Sequence, residues 1–375
     1  LTDSPFQTKP ARTIIVVPEL VGQSEDDTVL RPSNVPNLVR ISERGSVIKI
    51  PRLPDREYVE GLYLGLDDQT EIADGPLTVA ALGAGPPIRS TQFHLSLLSL
   101  TDSVAHIPAG RPTEAEERAI LDQAAKLNTK ALTLVKGKGV DHCLVWEAVG
   151  DLKTSPPSEV NSQRISGYLP QGDGEPGLRQ YIDDSVNLLS EMEINRRRVD
   201  EGHPPFNLLW PWGQGTRPQL PNLAIKRGEP AMVQSEDLRV QGLAKMVGYQ
   251  HTSRHTYRGG INLDLSKLSE LAGTTHLLFT IVSAPKQLRS KQMLEELEWF
   301  AHELDEKLIA PLLESSADRP RRLLILSPQR NSGGLALFFD SQSHGTGDFP
   351  FDERALEEPK LRTDTMRSLI ERAIA

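Results

Sequence analysis

Apolar residues along this chain gather in short runs, and between the runs their spacing becomes helical. Residues 12–18, Arg-Thr-Ile-Ile-Val-Val-Pro, form a β-branched run closed by proline, the pattern of a buried parallel strand. Residues 19–27 read as a loop. Residues 29–44 carry Val35, Leu38, Val39 and Ile41 on one helical face. Residues 46–51 give a second strand, and 61–66 a further ordered piece. Residues 93–100 alternate as a strand does. Thr113 before three glutamates opens a helix running to about Lys126. Strands are expected at 132–135 and 143–149, flanking Gly137-Lys138-Gly139.

Residues 154–177, rich in proline and glycine, read as a loop. An amphipathic helix is expected over 181–201, with Ile182, Val186, Leu189 and Met192 in phase. Ser235 is the expected cap of a helix over 236–247. Residues 276–282 are the most apolar strand. A long helix is expected over 291–313, and the last strands over 321–326 and 335–339. Helices alternating with apolar strands predict an α/β fold built on a doubly wound sheet. The Gly/Pro cluster at 83–87 and the α+β texture after it mark a smaller module.

At 375 residues the chain is too long for one ordinary core. A formal net charge of −9 argues against a nucleic-acid binder, which needs a basic face for phosphates. Cys143 is the only cysteine, so no intrachain disulfide can form; its apolar neighbours make it a buried small hydrophobe. No apolar stretch reaches the length of a membrane span, and residues 1–12 lack a signal-peptide core. A cytoplasmic protein is expected, with no membrane or nucleic-acid partner; a presequence removed earlier would leave no trace.

One stretch organises the rest: Phe206-Asn207-Leu208-Leu209-Trp210-Pro211-Trp212-Gly213-Gln214-Gly215. It is an apolar run ending in Gly-x-Gly, as where backbone closely approaches a neighbour. Its two tryptophans mark a half-buried anchor. The stretch resembles the Asn-x-x-Trp-x-Trp-Gly-x-Gly signature of the archaeal-type 2,3-bisphosphoglycerate-independent phosphoglycerate mutases of the alkaline-phosphatase superfamily. Gly65-Leu66-Asp67 resembles their Gly-Tyr-Asp, and Lys136 to His142 a Lys-Gly-rich hairpin. The resemblance implies an alkaline-phosphatase-like core of residues 1–75 and 180–375, with an inserted α+β domain at 76–179.

The resemblance also implies a mechanism: two divalent cations clamp a phosphoryl group and activate a serine. Matched residue by residue, the required groups are missing. Pro18 and Glu19 stand where the family has Asp-Gly. Arg56 stands at the serine, and Glu60 at the following histidine. Lys286 and Ser290 stand at the ends of an Asp-x-x-Gly-His motif that also spans Arg289. Pro328 and Gln329 replace Asp-His. Proline cannot ligate a cation, and arginine stays protonated. The expectation is a non-catalytic homologue with no catalytic residue, no metal and no cofactor, acting as a structural, scaffolding or regulatory protein through a protein partner or self-association.

Two alternatives stay open. Arg56, Lys286, Arg289 and Arg330, joined by Arg217, could bind an anion without metal, making the chain a sensor of a phosphorylated or carboxylated metabolite. A relocated site on Glu19, Asp67 and Asp68 would make it an active phosphomutase or phosphatase. His251 and His255 have metal-compatible spacing, but their surroundings read as strand or loop. Arg196-Arg197-Arg198 reads as a solvated helix end, or as a docking face for an acidic partner.

Overall fold

The computed structural model describes residues 10–22, 29–55, 59–67, 72–87, 89–138, 141–252, 265–315, 320–330, 333–347, 351–352, 354–357, 359, 361–363 and 365–375. The chain divides into two units, Leu1–Glu71 with Pro221–Ala375, and Ile72–Leu220.

The first unit is built on an eight-stranded sheet. Its order is Gln250–Thr252, Met232–Ser235, Leu277–Ile281, Ala11–Val16, Arg321–Ser327, Gly334–Asp340, Ser46–Ile50 and Leu361–Arg362. The first five strands run parallel. Gly334–Asp340 is antiparallel to both its neighbours. Ala11–Val16 is buried along its whole length, as its unbroken β-branched run requires of a strand covered on both faces. Helix residues Leu297, Phe300, Leu304 and Leu308 pack with Ile15, Leu278, Leu323 and Ile325 in one core.

Two helices here differ from their sequence patterns, and Asp305 links them. The first spans Pro36–Arg44 and begins later than the periodicity suggested, because Pro36 takes the first turn. Its N-cap residue, Val35, has no side chain that can accept a hydrogen bond. Asp305 takes over: one carboxylate oxygen accepts from the Asn37 amide at 3.0 Å and the other from Leu38 at 2.7 Å. The helix expected over 291–313 consists of Leu294–Leu304, a π-helical turn Asp305–Ile309, and Ala310–Ser315. The π turn begins at Asp305, the residue aimed out of its own helix to cap another.

The helix expected behind Ser235 is Leu238–Met246, and its cap is Asp237, which accepts from Arg239 N at 2.8 Å. A helix at Ala284–Ser290 has no counterpart in the sequence reading. The ordered piece at 61–66 is a short helix, Glu60–Tyr63.

In the second unit, Thr91–Thr101 is the central strand. It pairs antiparallel with Asp141–Trp146 on one side and Leu208–Gly215 on the other. Leu132–Lys138 extends the sheet beyond Asp141–Trp146. The helix Glu114–Ala124 opens with a reciprocal capping box between Thr113 and Glu116. The expected helix over 181–201 is two, Glu175–Ser190 and Glu193–Asp200.

The Trp-Trp stretch therefore belongs to this unit, and the boundary expected near 180 falls at 220. The reason is strand pairing: Leu208–Gly215 hydrogen-bonds to Thr91–Thr101, and Glu175–Ser190 packs on it. Nor does a domain crossing fall at Gly83–Pro87; an unforeseen helix, Asp74–Leu82, precedes it in the same unit. Asn195 and Asn207 act as substitute backbone. Asn195 accepts from Phe206 N at 2.8 Å, and Asn207 accepts from Leu100 N at 2.8 Å. Trp210 is buried and donates to the Ser155 carbonyl at 2.8 Å; Trp212 donates to Ser96 Oγ at 2.9 Å.

The Gly-x-Gly ending is explained by close approach. Gly213 has φ +59°, and a Cβ there would lie 2.7 Å from the Asp74 Cβ. Gly213→Ala is expected to lose about 2–4 kcal/mol of stability, through left-handed strain plus overlap. Urea unfolding followed by tryptophan fluorescence measures it.

Candidate functional site

Five parallel strands bring their carboxyl ends to one rim of the first unit, the edge where open α/β sheets place their ligand sites. Ala11–Val16 is central and leads into Val17-Pro18-Glu19-Leu20-Val21-Gly22. Pro18 is buried. Glu19 has φ +61°, a conformation that favours glycine, the residue the resembled enzymes carry there.

Neighbouring strand ends hold this turn in place. Arg289, half-buried on Ala284–Ser290, donates from Nε to the Glu19 carbonyl and from Nη2 to the Leu20 carbonyl at 3.0 Å. Gln329, buried after Arg321–Ser327, donates from Nε2 to the Val21 carbonyl at 2.6 Å and reaches Gly22 O at 3.4 Å. Ser327 Oγ accepts from Val21 N at 3.0 Å, and the buried Pro328 offers its carbonyl to Glu19 N at 3.1 Å. The Gln329 carbonyl accepts from Leu53 N at 2.8 Å. Residues 327–329 and Arg289 thus satisfy backbone groups that would otherwise be stranded.

The other expected site residues are dispersed. Lys286 and Ser290 are exposed on the same short helix as Arg289. Arg330 is half-buried, with Nη1 3.5 Å from the Pro54 carbonyl. Asp67 is exposed and lies 3.7 Å from Arg367. Arg56, Asp68 and His255 lie outside the described residues. Arg217 is exposed in the other unit. His251 stands in the strand Gln250–Thr252, as its surroundings suggested. On Glu193–Asp200, Arg198 lies over the Phe206 ring at 4.3 Å and Arg196 pairs with Glu191.

The sequence reading missed an acidic group beside the rim. Glu60 is buried and accepts from Arg239 Nη2 at 2.7 Å. Burial raises its pKa, against the pull of Arg239. Tyr63, buried near Glu60, has its phenol pushed far up by desolvation. Glu236, just past Met232–Ser235, accepts from Ser283 N at 2.6 Å, and burial pushes its carboxyl up to about 7. Its other oxygen is buried without a hydrogen-bond partner. The signal was the Ser-Glu-Asp sequence ending an apolar strand; helical spacing from 236 onward concealed it.

The two cations implied by the resemblance do not fit the residues found here. Guanidinium and amide N–H groups donate and cannot ligate a cation, and both point at backbone carbonyls. Among the described residues, no three His, Cys, Asp or Glu side chains are grouped to hold a metal ion.

No protein-family model matches the chain. A 2,3-bisphosphoglycerate-independent phosphoglycerate mutase of Methanosarcina mazei is 24% identical over 315 residues, spanning 80% of this chain and 79% of its own. The corresponding enzyme of Methanothrix thermoacetophila is 24% identical over 322 residues, 82% of this chain and 81% of its own. A Geobacter sulfurreducens protein described as a probable enzyme of this kind is 22% identical over 364 residues, covering 89% and 91%. Among solved structures, a Pyrococcus horikoshii protein superposes with a TM-score of 0.72 at 16% identity, covering 98% of this chain and 97% of its own. The cofactor-independent phosphoglycerate mutase of Thermoplasma acidophilum gives 0.64 at 16% identity, covering 97% and 100%. The chain is thus related to the cofactor-independent phosphoglycerate mutases and shares their alkaline-phosphatase-like α/β fold.

The rim geometry separates two neighbouring cations. Arg289→Ala is expected to cost about 2–4 kcal/mol, by removing two charge-assisted hydrogen bonds to a buried turn. Lys286→Ala, at an exposed position, should stay within about 0.5 kcal/mol of the parent. Chemical denaturation of both variants checks the difference.

Proposed function

We propose that this chain is a pseudoenzyme of the phosphoglycerate mutase type: it keeps the fold and has exchanged the catalytic rim for internal cross-links. In this reading it works in the cytoplasm as a structural, scaffolding or regulatory protein, through a protein partner or its own self-association.

One observation carries the reading. Arg289 and Gln329 lie on the two segments where the resembled enzymes place cation ligands, and both spend their donors on the Glu19–Gly22 turn. A two-cation mechanism needs converging carboxylates and imidazoles there. A guanidinium in that position repels cations and cannot be deprotonated to make room for one. The proline at position 18 removes a further donor.

A second reading has its own support. Lys286 is exposed on the rim helix, and Arg330 is half-buried after the strand Arg321–Ser327. The two could receive a phosphate or carboxylate without metal, which would make the chain a metabolite sensor.

The test is an NMR assay of 3-phosphoglycerate and 2-phosphoglycerate interconversion in manganese-containing buffer, with the Methanosarcina mazei enzyme run in parallel. No interconversion above the protein-free rate is expected. Turnover within about a hundredfold of the parallel enzyme would defeat the pseudoenzyme reading. Binding of either compound without turnover, seen as line broadening, would favour the sensor.

A further inference from the structure

The helix that carries Arg289 is itself held at its start by one side chain. Glu236 Oε1 accepts from Ser283 N at 2.6 Å, and the nearby Ala284 amide also favours the charged carboxylate. Ala284 is the first residue of Ala284–Ser290, and Ser283 immediately precedes it. Five residues on, Arg289 holds the Glu19 and Leu20 carbonyls. A mechanical path therefore runs from Glu236 through one short helix to the turn beyond the central strand.

We propose that Glu236 is a proton-operated latch on the rim: uncharged, it stays seated and caps Ala284–Ser290; charged, it leaves its buried seat and releases that helix together with Arg289's hold on residues 19–20.

The surroundings favour this sense of switching. Oε2 is shut off from solvent and has no hydrogen-bond partner, so burial outweighs the backbone amides of Glu236, Ser283 and Ala284, which favour the charged form. The nearest charged neighbour in sequence, Asp237, is of like sign and disfavours ionisation further. Three described cations of the rim act on other groups. Arg239 serves Glu60 at 2.7 Å and Asp237 at 3.6 Å, Lys286 is exposed and acts on Glu60, and Arg289 is turned to the carbonyls. Burial raises the carboxyl's pKa to about 7 in the closed state. The sign follows: the closed state binds the proton more tightly than an open, solvated one. Closure is fully favoured below the ordinary carboxylate range and loses that advantage as pH rises through about 7. The latch operates whether or not the chain turns over a substrate.

Hydrogen–deuterium exchange of the intact protein tests this, with rates corrected for intrinsic pH dependence, at pH 5.5 and pH 8. Peptides covering 17–22 and 284–290 should exchange about tenfold or more faster at pH 8 in the parent, while those from the strand Arg321–Ser327 stay unchanged. Glu236→Gln keeps the acceptor for Ser283 N and removes the charge, so its corrected rates should be equal at the two pH values. A parent without pH dependence, or a Glu236→Gln variant that keeps it, would overturn the proposal. The carboxyl-carbon resonance of Glu236 in the parent supplies a check independent of any variant. Its titration midpoint must coincide with that of the exchange, and a midpoint two pH units lower would also overturn the latch.

Discussion

The backbone leaving a fully buried central strand has to find hydrogen-bond partners, and much of this structure answers to that demand. Ala11–Val16 lies between two parallel neighbours and emerges at the rim in a turn whose carbonyls from Glu19 to Gly22 face inward. An unpartnered buried carbonyl costs on the order of 1–3 kcal/mol. Here a guanidinium from one neighbouring strand end and an amide from the other supply the donors. Cations clamped by carboxylates would bind strand ends together in a different way. Arg289 and Gln329 join these segments through protein donors, and Glu19 can hold its left-handed conformation against the strain.

The same principle, a side chain reaching across to satisfy another segment's backbone, recurs away from the rim. Asp305 caps a helix whose own cap residue is valine, and its helix widens into a π turn where it does so. Asn195 and Asn207 stand in for strand partners around the Trp-Trp stretch of the second unit. These polar residues satisfy backbone groups of distant segments in both units.

Much of the architecture was legible in the sequence because its cause is local. The β-branched runs gave the core strands, Thr113 and Glu116 gave a helix start, and Gly213 gave the close approach of backbone to Asp74. What was not legible depends on long-range partners. Pairing of Leu208–Gly215 with Thr91–Thr101 moved the boundary from 180 to 220, because no local pattern tells which sheet a strand will join. Glu236 read as the first turn of a helix, since periodicity cannot show that Asp237 is the cap. At the rim, the sequence told which residues stand at the strand ends. That Arg289 bonds carbonyls and Lys286 is exposed emerges only when the strand-end segments are brought together.

The central claim is that the rim is closed by protein donors and has no place for two cations. Elemental analysis of protein purified without chelator and then dialysed against excess manganese tests it most directly. The account predicts far less than one equivalent of any divalent transition metal per chain. Two equivalents that survive gel filtration would contradict it, because two tightly held cations require a ligand set that a rim closed by Arg289 and Gln329 does not provide.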